Sequence, residues 1–191
     1  MRKRSAIGLL FIIFLVLMTA CSTRQVIERY QGSTAQRLTS HSVNDMIAAI
    51  PETDFSRLKN KPVYLECYFL NDIEPIAYAK KRLELELMDK YQCRLVSDPV
   101  DAEMEVYVFF TSLGTDSDKF GLSTPGIAIP GMGLSSIDLL ALEMFHGITE
   151  LYYYIVDDRE QIIAKSDVIQ TRVRNDSLAL PLITIPINTV D

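Results

Sequence analysis

Two segments with alternating apolar residues, separated by an amphipathic segment, constrain the fold of this chain most strongly. Between Pro62 and Leu70, and again between Glu103 and Thr111, apolar residues recur at every second position. That period is typical of a half-buried β-strand. The stretch from Pro75 to Tyr91 instead has helical spacing, with Leu83 and Leu87 on one stripe and charged residues on the other faces. A strand, a helix and a strand in this order predict a sheet with a helix packed against it.

The other segments extend the same architecture. A helix from about residue 35 to residue 50 ends at Pro51, because proline cannot continue a helix. The remaining strand candidates are residues 93–96, 149–156 and 161–169. The apolar tail 178–190 contains Pro181 and Pro186, which predicts an edge strand or an extended strap. This order predicts an α/β (α+β) fold, a small mixed sheet with helices packed mainly on one face.

The charge of the chain limits its partners. The 191 residues are enough for one ordinary domain, and their formal net charge is −6. Without residues 1–20, which include Arg2, Lys3 and Arg4, the net charge becomes −9. Nucleic-acid binding needs clustered basic residues, so we expect no nucleic-acid partner. The chain also lacks a polybasic patch for anionic lipid headgroups.

The amino terminus has the composition of a signal peptide. Three basic residues follow Met1, and the segment from Ile7 to Met18 is almost wholly apolar. The apolar run is shorter than the ~18 residues expected of a spanning helix, and it ends in small residues. We therefore expect a cleaved signal peptide over residues 1–20 rather than an uncleaved anchor.

The segment Leu17-Met18-Thr19-Ala20-Cys21 resembles the bacterial lipobox, with Met18 where leucine is commoner. The resemblance implies cleavage after Ala20 and covalent lipid on Cys21 as the only attached group. Ser22 follows the cysteine instead of aspartate, which implies the outer membrane, with the protein on its periplasmic face. We expect residues 21–32 to form a lipidated tether and residues 33–191 to form a single mixed α/β domain.

The ionisable residues do not form the constellation of an enzyme. His41 and His146 have no partner at metal-ligand spacing, so we predict no metal site. The acidic pairs lie in polar turns, where both carboxylates stay ionised and cannot divide acid and base roles. Cys67 and Cys93 fall about 13 Å apart if their strands are parallel neighbours, which is too far for a disulfide. We expect free thiols, no cofactor and no catalytic activity.

Residues 121–147 form the least regular segment, which we predict to be an apolar Gly- and Pro-rich loop. Within it, residues 137–145 are expected to form a short helix. Ile127, Ile129 and Met132 are the candidate contact residues for a protein partner, a second copy or the membrane. The alternative is that the loop folds back onto its own core, and the sequence does not decide between them.

A short set of motifs carries a resemblance to a family. The motif residues are Gly114, Thr115, Asp116, Phe120, Gly121 and Pro125. They resemble an uncharacterised family of bacterial lipoproteins that is known only as a domain of unknown function and carries no known activity. The element order is also similar, more distantly, to the amino-terminal domain of TolB and to the periplasmic domain of the curli-export lipoprotein. This likeness implies an envelope assembly or transport role.

The sequence therefore predicts a membrane-anchored lipoprotein of the cell envelope, a non-enzymatic structural, assembly or transport component. Its expected partners are the membrane, through the lipid, and an envelope protein or further copies of itself. The alternative is a small-ligand-binding or hydrolytic lipoprotein with a pocket under the 121–147 loop. Convergence of His146, Asp116 and Asp138 on one cleft favours that alternative.

Overall fold

The computed structural model describes residues 23–26, 32–70, 74–123, 127–129, 133–135 and 138–189. Residues 23–26, 123, 127–129 and 133–135 are described by their backbone only. The elements in chain order are β1 (Thr23–Val26), α1 (Ser33–Ala49), α2 (Glu52–Phe55), β2 (Pro62–Tyr68), α3 (Glu74–Tyr91), β3 (Arg94–Val96), β4 (Met104–Ser123), β5 (Ile127–Ile129), β6 (Gly133–Ser135), β7 (Asp138–Asp157), β8 (Ile162–Lys165), β9 (Ile169–Ala179) and β10 (Thr184–Asn188). Two 3-10 turns lie at Ser56–Leu58 and Pro99–Asp101.

Eight of the strands form one mixed sheet. Its central order is β10-β9-β7-β4-β2-β3, with β1 paired to β4 and β8 paired to β7. Strand β2 is parallel to both β3 and β4, whereas the β1–β4, β7–β8 and β9–β10 pairs are antiparallel. Strands β5 and β6 form a separate antiparallel pair. The predicted mixed α/β fold is confirmed.

The chain divides into two compact units. The larger unit comprises residues 30–115 and 146–173, and the smaller unit comprises residues 1–29, 116–145 and 174–191.

The core of the larger unit follows from the alternation of its strands. On β2 and β4, Val63, Leu65 and Val106 are buried, and so is every second residue of the first half of β4. Helix α3 places Leu83 and Leu87, both almost fully buried, in the same cluster. Each such side chain stabilises the fold by about 1.5–3 kcal/mol through removal from water. The predicted strand and helix periods are thus confirmed here.

Helix α1 packs through small and polar residues as well as apolar ones. Ser42 lies fully buried with its Oγ 2.8 Å from Oγ1 of Thr149, and Thr171 Oγ1 donates to the Ser42 carbonyl oxygen at 2.8 Å. A Cβ on Gly147 would lie 2.3 Å from the carbonyl oxygen of Leu38. Glycine at position 147 therefore lets the helix approach the strand closely.

Helix α2 and the following turn close one end of the core. Phe55 lies edge-on to Tyr91 at 5.8 Å and to Tyr153 at 5.2 Å between ring centroids. The buried Tyr153 hydroxyl donates to Asp54 Oδ2 at 2.9 Å. Burial and this hydrogen bond raise the pKa of Tyr153. The phenol is thereby satisfied inside an otherwise apolar cluster.

The smaller unit contains an edge strand and an ion cluster. Strand β10 pairs with β9 from Thr184 opposite Ala179, and its register shifts between Pro186 and Asn188. Lys119 Nζ lies 2.5 Å from Asp138 Oδ2 and 3.4 Å from Glu143 Oε1. Its hydrogen bond to Asp138 raises the pKa of Lys119. The predicted edge strand of the tail is confirmed.

The predicted loop over residues 121–147 is wrong for much of its length. Strand β4 continues to Ser123, and β7 begins at Asp138, so the helix predicted over residues 137–145 is a strand wherever it is described. Residues 127–129 and 133–135 also form a strand pair. The run from Leu139 to Leu142 is apolar at consecutive positions, which removes the period that separates a helix from a strand.

Two smaller expectations also differ from the structure. The segment expected to be an irregular tether contains β1, whose Thr23 lies opposite Lys119 of β4. Strands β2 and β3 are parallel neighbours with Leu95 opposite Val63, so Cys93 lies further along the strand direction from Cys67 than the sequence-based separation assumed. Cys67 and Cys93 are free, as predicted.

Candidate interaction surfaces

One face of the sheet in the larger unit is free of the three helices. Helices α1, α2 and α3 contact the sheet through the face that carries Thr149, Tyr153 and the core cluster. The alternate residues of β2, β4 and β7 point to the opposite side. We call this side the outer face, and it consists of Tyr64, Glu66, Tyr68, Glu105, Tyr107, Phe109, Glu150, Tyr152 and Tyr154.

A row of stacked rings crosses the outer face. Tyr68 lies directly opposite Phe109 on the neighbouring strand, and their rings stack at 4.9 Å with 14° between planes. Phe109 stacks in turn on Tyr152 at 5.2 Å and 12°. Tyr154 meets Phe109 edge-on at 6.1 Å. Such cross-strand aromatic pairs stabilise the sheet and hold the rings in a fixed row.

Carboxylates on the outer face accept hydrogen bonds from the tyrosine hydroxyl groups. The Tyr107 hydroxyl donates to Glu105, and this hydrogen bond, followed by burial, raises the pKa of Tyr107. A hydrogen bond to Glu66 raises the pKa of Tyr68 to about 12. Thr111 Oγ1 donates to Glu150 Oε1 at 2.5 Å. The polar groups of this face are therefore ordered while the face stays partly exposed.

The outer face carries charged side chains of both signs. Glu66 and Glu105 lie on β2 and β4. Lys165 of β8 lies directly opposite Tyr154, and Arg172 is exposed on β9. The outer face therefore has carboxylates on β2, β4 and β7, where Glu150 lies, and basic side chains on β8 and β9.

Several residues that were proposed from the sequence for lipid attachment, partner contact and the family motif lie outside the described part of the chain. Cys21, Pro125 and Met132 lie outside the described residues. Ile127 and Ile129 belong to β5, where their backbones lie opposite Ser135 and Gly133. The segment is therefore a strand pair rather than the irregular backbone we expected.

The described residues of the family motif lie on strand β4 rather than on a loop, and Pro125 lies outside the described residues. Gly114 and Thr115 belong to the larger unit, where Thr115 is buried. Phe120 and Gly121 belong to the smaller unit, where Phe120 is 58% exposed. A Cβ on Gly121 would lie 2.2 Å from the carbonyl oxygen of Leu140, so a strand backbone passes too close for any side chain. This close approach accounts for one glycine of the motif.

The residues considered for a hydrolytic site belong to both units. His146 is buried in the larger unit, whereas Asp116 and Asp138 belong to the smaller unit. Asp138 accepts a hydrogen bond from Lys119 at 2.5 Å. Within the described residues, no three His, Cys, Asp or Glu side chains form a group that could hold a metal ion.

The thiols have the environment of core residues. Cys93 is buried, and its Sγ donates to the Leu58 carbonyl oxygen at 3.3 Å. Burial raises the pKa of Cys93 to about 11 and that of Cys67 to about 12. A high pKa lowers the thiolate fraction and with it the reactivity of a nucleophile. Neither residue has the surroundings of a reactive cysteine.

The resemblance to an uncharacterised family of bacterial lipoproteins stays a prediction after comparison with known proteins. No protein-family model matches the chain, and no curated protein sequence matches it either. Among the residues that the structure describes, no helix is long and apolar enough to cross a membrane.

The outer face was not predicted from the sequence. Its signal was present, because Tyr64, Tyr68 and Tyr107 occupy the strand positions that alternate with core residues. The sequence does not say which strands are neighbours. The row could therefore be recognised only once β2, β4 and β7 were known to lie side by side.

Proposed function

We propose that this chain is a lipid-anchored lipoprotein of the bacterial cell envelope and that its folded domain is a non-enzymatic structural or assembly component. The observation that carries the proposal is the order of basic, apolar and small residues before Cys21. Three acyl chains on one cysteine hold a protein on a membrane far more firmly than a single chain does. Ser22 supports delivery to the outer membrane.

An assembly role is supported by the composition of the outer face. Tyrosine, phenylalanine and arginine are enriched in protein interfaces, where rigid aromatic side chains contribute large contact areas. The rings of Tyr68, Phe109 and Tyr152 are already ordered by stacking. A partner therefore immobilises few side chains when it binds, which lowers the entropic cost of association.

The partner that best fits the outer face is a second copy of this chain. Two sheets can pack face to face about a twofold axis that runs along the strands. Such an axis brings the β2 side of one copy over the β8 side of the other. Glu66 then meets Lys165 of the second copy, and the aromatic rows meet at the centre. Anchoring of both copies in one membrane raises their effective concentration.

The anchoring part of the proposal is tested by lipid labelling. Wild-type protein is expected to incorporate radiolabelled palmitate and to run as a processed form, whereas Cys21→Ser stays an unlabelled precursor. Cys67→Ser is the matched control and should be labelled as the wild type is. Failure of palmitate to enter the wild-type protein contradicts lipid anchoring.

The assembly part is tested by a charge exchange across the proposed interface. Glu66→Lys and Lys165→Glu should each weaken cross-linking between copies in envelope membranes, because like charges then face each other. The double variant should restore cross-linking. Lys81→Glu, on the exposed part of α3, is the control. Cross-links to another envelope protein, or equal cross-linking in all variants, would exclude the second copy as the partner.

A further inference from the structure

The smaller unit exposes an unusual number of large apolar side chains. They are Phe120, Leu139, Leu140, Leu182, Ile183, Ile185 and Ile187. The larger unit exposes a similar number of large apolar side chains, although it contains most of the residues whose side chains are described. An exposed apolar surface of this kind marks contact with a protein, a ligand or a membrane.

The sequence around these residues lacks ionisable groups. No residue between Leu178 and Asn188 is charged, and the segment from Phe120 to Ile137 contains no charge either. The charged side chains near the exposed residues include Lys119, which lies 2.5 Å from Asp138 and 3.4 Å from Glu143. Desolvation of this surface therefore carries little electrostatic cost.

Strand β1 places the lipid attachment point near one of these exposed residues, Phe120. Thr23 pairs with Lys119, and β1 runs antiparallel to β4. The chain before Thr23 therefore leads toward the Phe120 end of β4. Only one residue, Ser22, separates Cys21 from Thr23, so their Cα atoms are at most about 7 Å apart in an extended chain. A lipid on Cys21 holds this end of the smaller unit close to the bilayer surface.

We infer that the exposed apolar residues of the smaller unit lie in the interfacial region of the lipid bilayer, next to the anchor on Cys21. The inference rests on the proposed lipidation. Transfer of apolar side chains from water to the boundary between headgroups and acyl chains lowers the free energy. The short connection through β1 brings Phe120 to that boundary without further ordering of the chain. The surface thus adds a second membrane contact to the lipid.

The absence of tryptophan from the sequence makes the inference directly testable. Single substitutions Phe120→Trp and Ile185→Trp place a fluorophore in the smaller unit, and Val100→Trp places one at a position of the larger unit that is 89% exposed. The full-length protein is processed in the cell, purified in detergent and reconstituted into phosphatidylethanolamine–phosphatidylglycerol vesicles with brominated acyl chains. Circular dichroism confirms that each variant is folded.

Lipid contact predicts a blue-shifted emission and a loss of fluorescence to bromine for Phe120→Trp and Ile185→Trp, but not for Val100→Trp. Quenching of all three variants by aqueous iodide to the same extent overturns the inference. Protection from iodide without quenching by bromine also overturns it, because that result identifies a protein contact such as a second copy.

The mass of the amino-terminal peptide separates this inference from the proposed function. A lipidated Cys21 with water-exposed tryptophans contradicts only the lipid contact of the smaller unit. An unmodified Cys21 contradicts the proposed anchoring and, with it, the contact that depends on it.

Discussion

The two units use their apolar residues in opposite ways. The larger unit packs them into a continuous cluster in which Val63, Leu87 and Tyr153 are fully buried. In the smaller unit the buried residues include Ala141 and Ala179, whereas the larger apolar side chains of β10 stay exposed. The comparison teaches that apolar content alone does not identify a core. A core also requires a second layer, which the helices provide in the larger unit.

The largest difference between the units should come from equal truncations of leucine. Leu87→Ala removes a fully buried side chain from the larger unit and should cost about 2–5 kcal/mol of unfolding free energy. Leu182→Ala, at a side chain that is 95% exposed, should change it by less than about 0.5 kcal/mol. Urea denaturation followed by circular dichroism measures both. Similar costs at the two positions would mean that the smaller unit also has a packed core.

The thiols of the larger unit should react slowly while it is folded. Burial raises the pKa of Cys93 from 9.0 to about 11. The thiolate fraction at pH 8 therefore falls by about a hundredfold, since each unit of pKa is a factor of ten. A thiol reagent such as DTNB should modify Cys93 and Cys67 rapidly only in denaturant. Rapid modification of Cys93 in the folded protein would contradict its burial.

The same shifts set a pH dependence of stability. Above about pH 9 the unfolded thiols lose their protons, whereas the folded thiols, with raised pKa values, keep them. The folded state then binds more protons than the unfolded state, so its stability falls as the pH rises. The melting temperature is expected to drop between pH 9 and pH 11. Replacement of Cys93 by Ala should reduce that drop, which separates the thiol from the tyrosines.

A smaller effect is expected from the close approach of α1 to β7. Gly147→Ala would place a Cβ 2.3 Å from a backbone oxygen of Leu38, so the helix must shift. We expect a loss of about 1–3 kcal/mol, as is typical of overpacking. Gly114→Ala is the matched control, because nothing lies within 4 Å of its added Cβ. An unchanged melting temperature in Gly147→Ala would show that the helix can move freely.

The smallest effect should come from the ion cluster of the smaller unit. Lys119→Met removes the contacts to Asp138 and Glu143, which are partly exposed to water. Exposed ion pairs contribute little, so we expect a change below about 1 kcal/mol in unfolding free energy. Local hydrogen exchange at β4 and β7 is the appropriate measurement. A loss of several kcal/mol would indicate that the smaller unit depends on this cluster for its structure.

The sequence predicted the larger unit better than the smaller one for physical reasons. Strands β2 and β4 have one buried and one open face, so their period of two residues is visible in the sequence. Helix α1 fitted its apolar stripe only loosely because Thr39 and Ser42 are buried against the sheet, where they form hydrogen bonds. Polar residues that are satisfied inside a core do not register in an apolar pattern.

The strands of the smaller unit were hard to predict from the sequence for a different reason. The start of β7 is apolar on consecutive positions such as Leu139 and Leu140, both of which are exposed. Alternation disappears when neither face is reserved for polar residues, and a helix is then an equally good interpretation. Strand β1 was missed because its pairing with β4 joins segments about 90 residues apart, which no local pattern reveals.

Under the proposed export and lipid anchoring, the irregular edge at β10 has a consequence for the protein before it reaches a membrane. An exported chain spends time in water among many identical copies before it reaches its destination. An uncharged edge strand rich in isoleucine favours strand addition by another copy of the chain, which leads to aggregation. Pro186 lacks an amide hydrogen, and the register shift after it bends the strand out of alignment. The edge of β10 can therefore stay apolar for the proposed lipid contact. It remains a poor template for strand addition by other copies before the protein reaches the membrane.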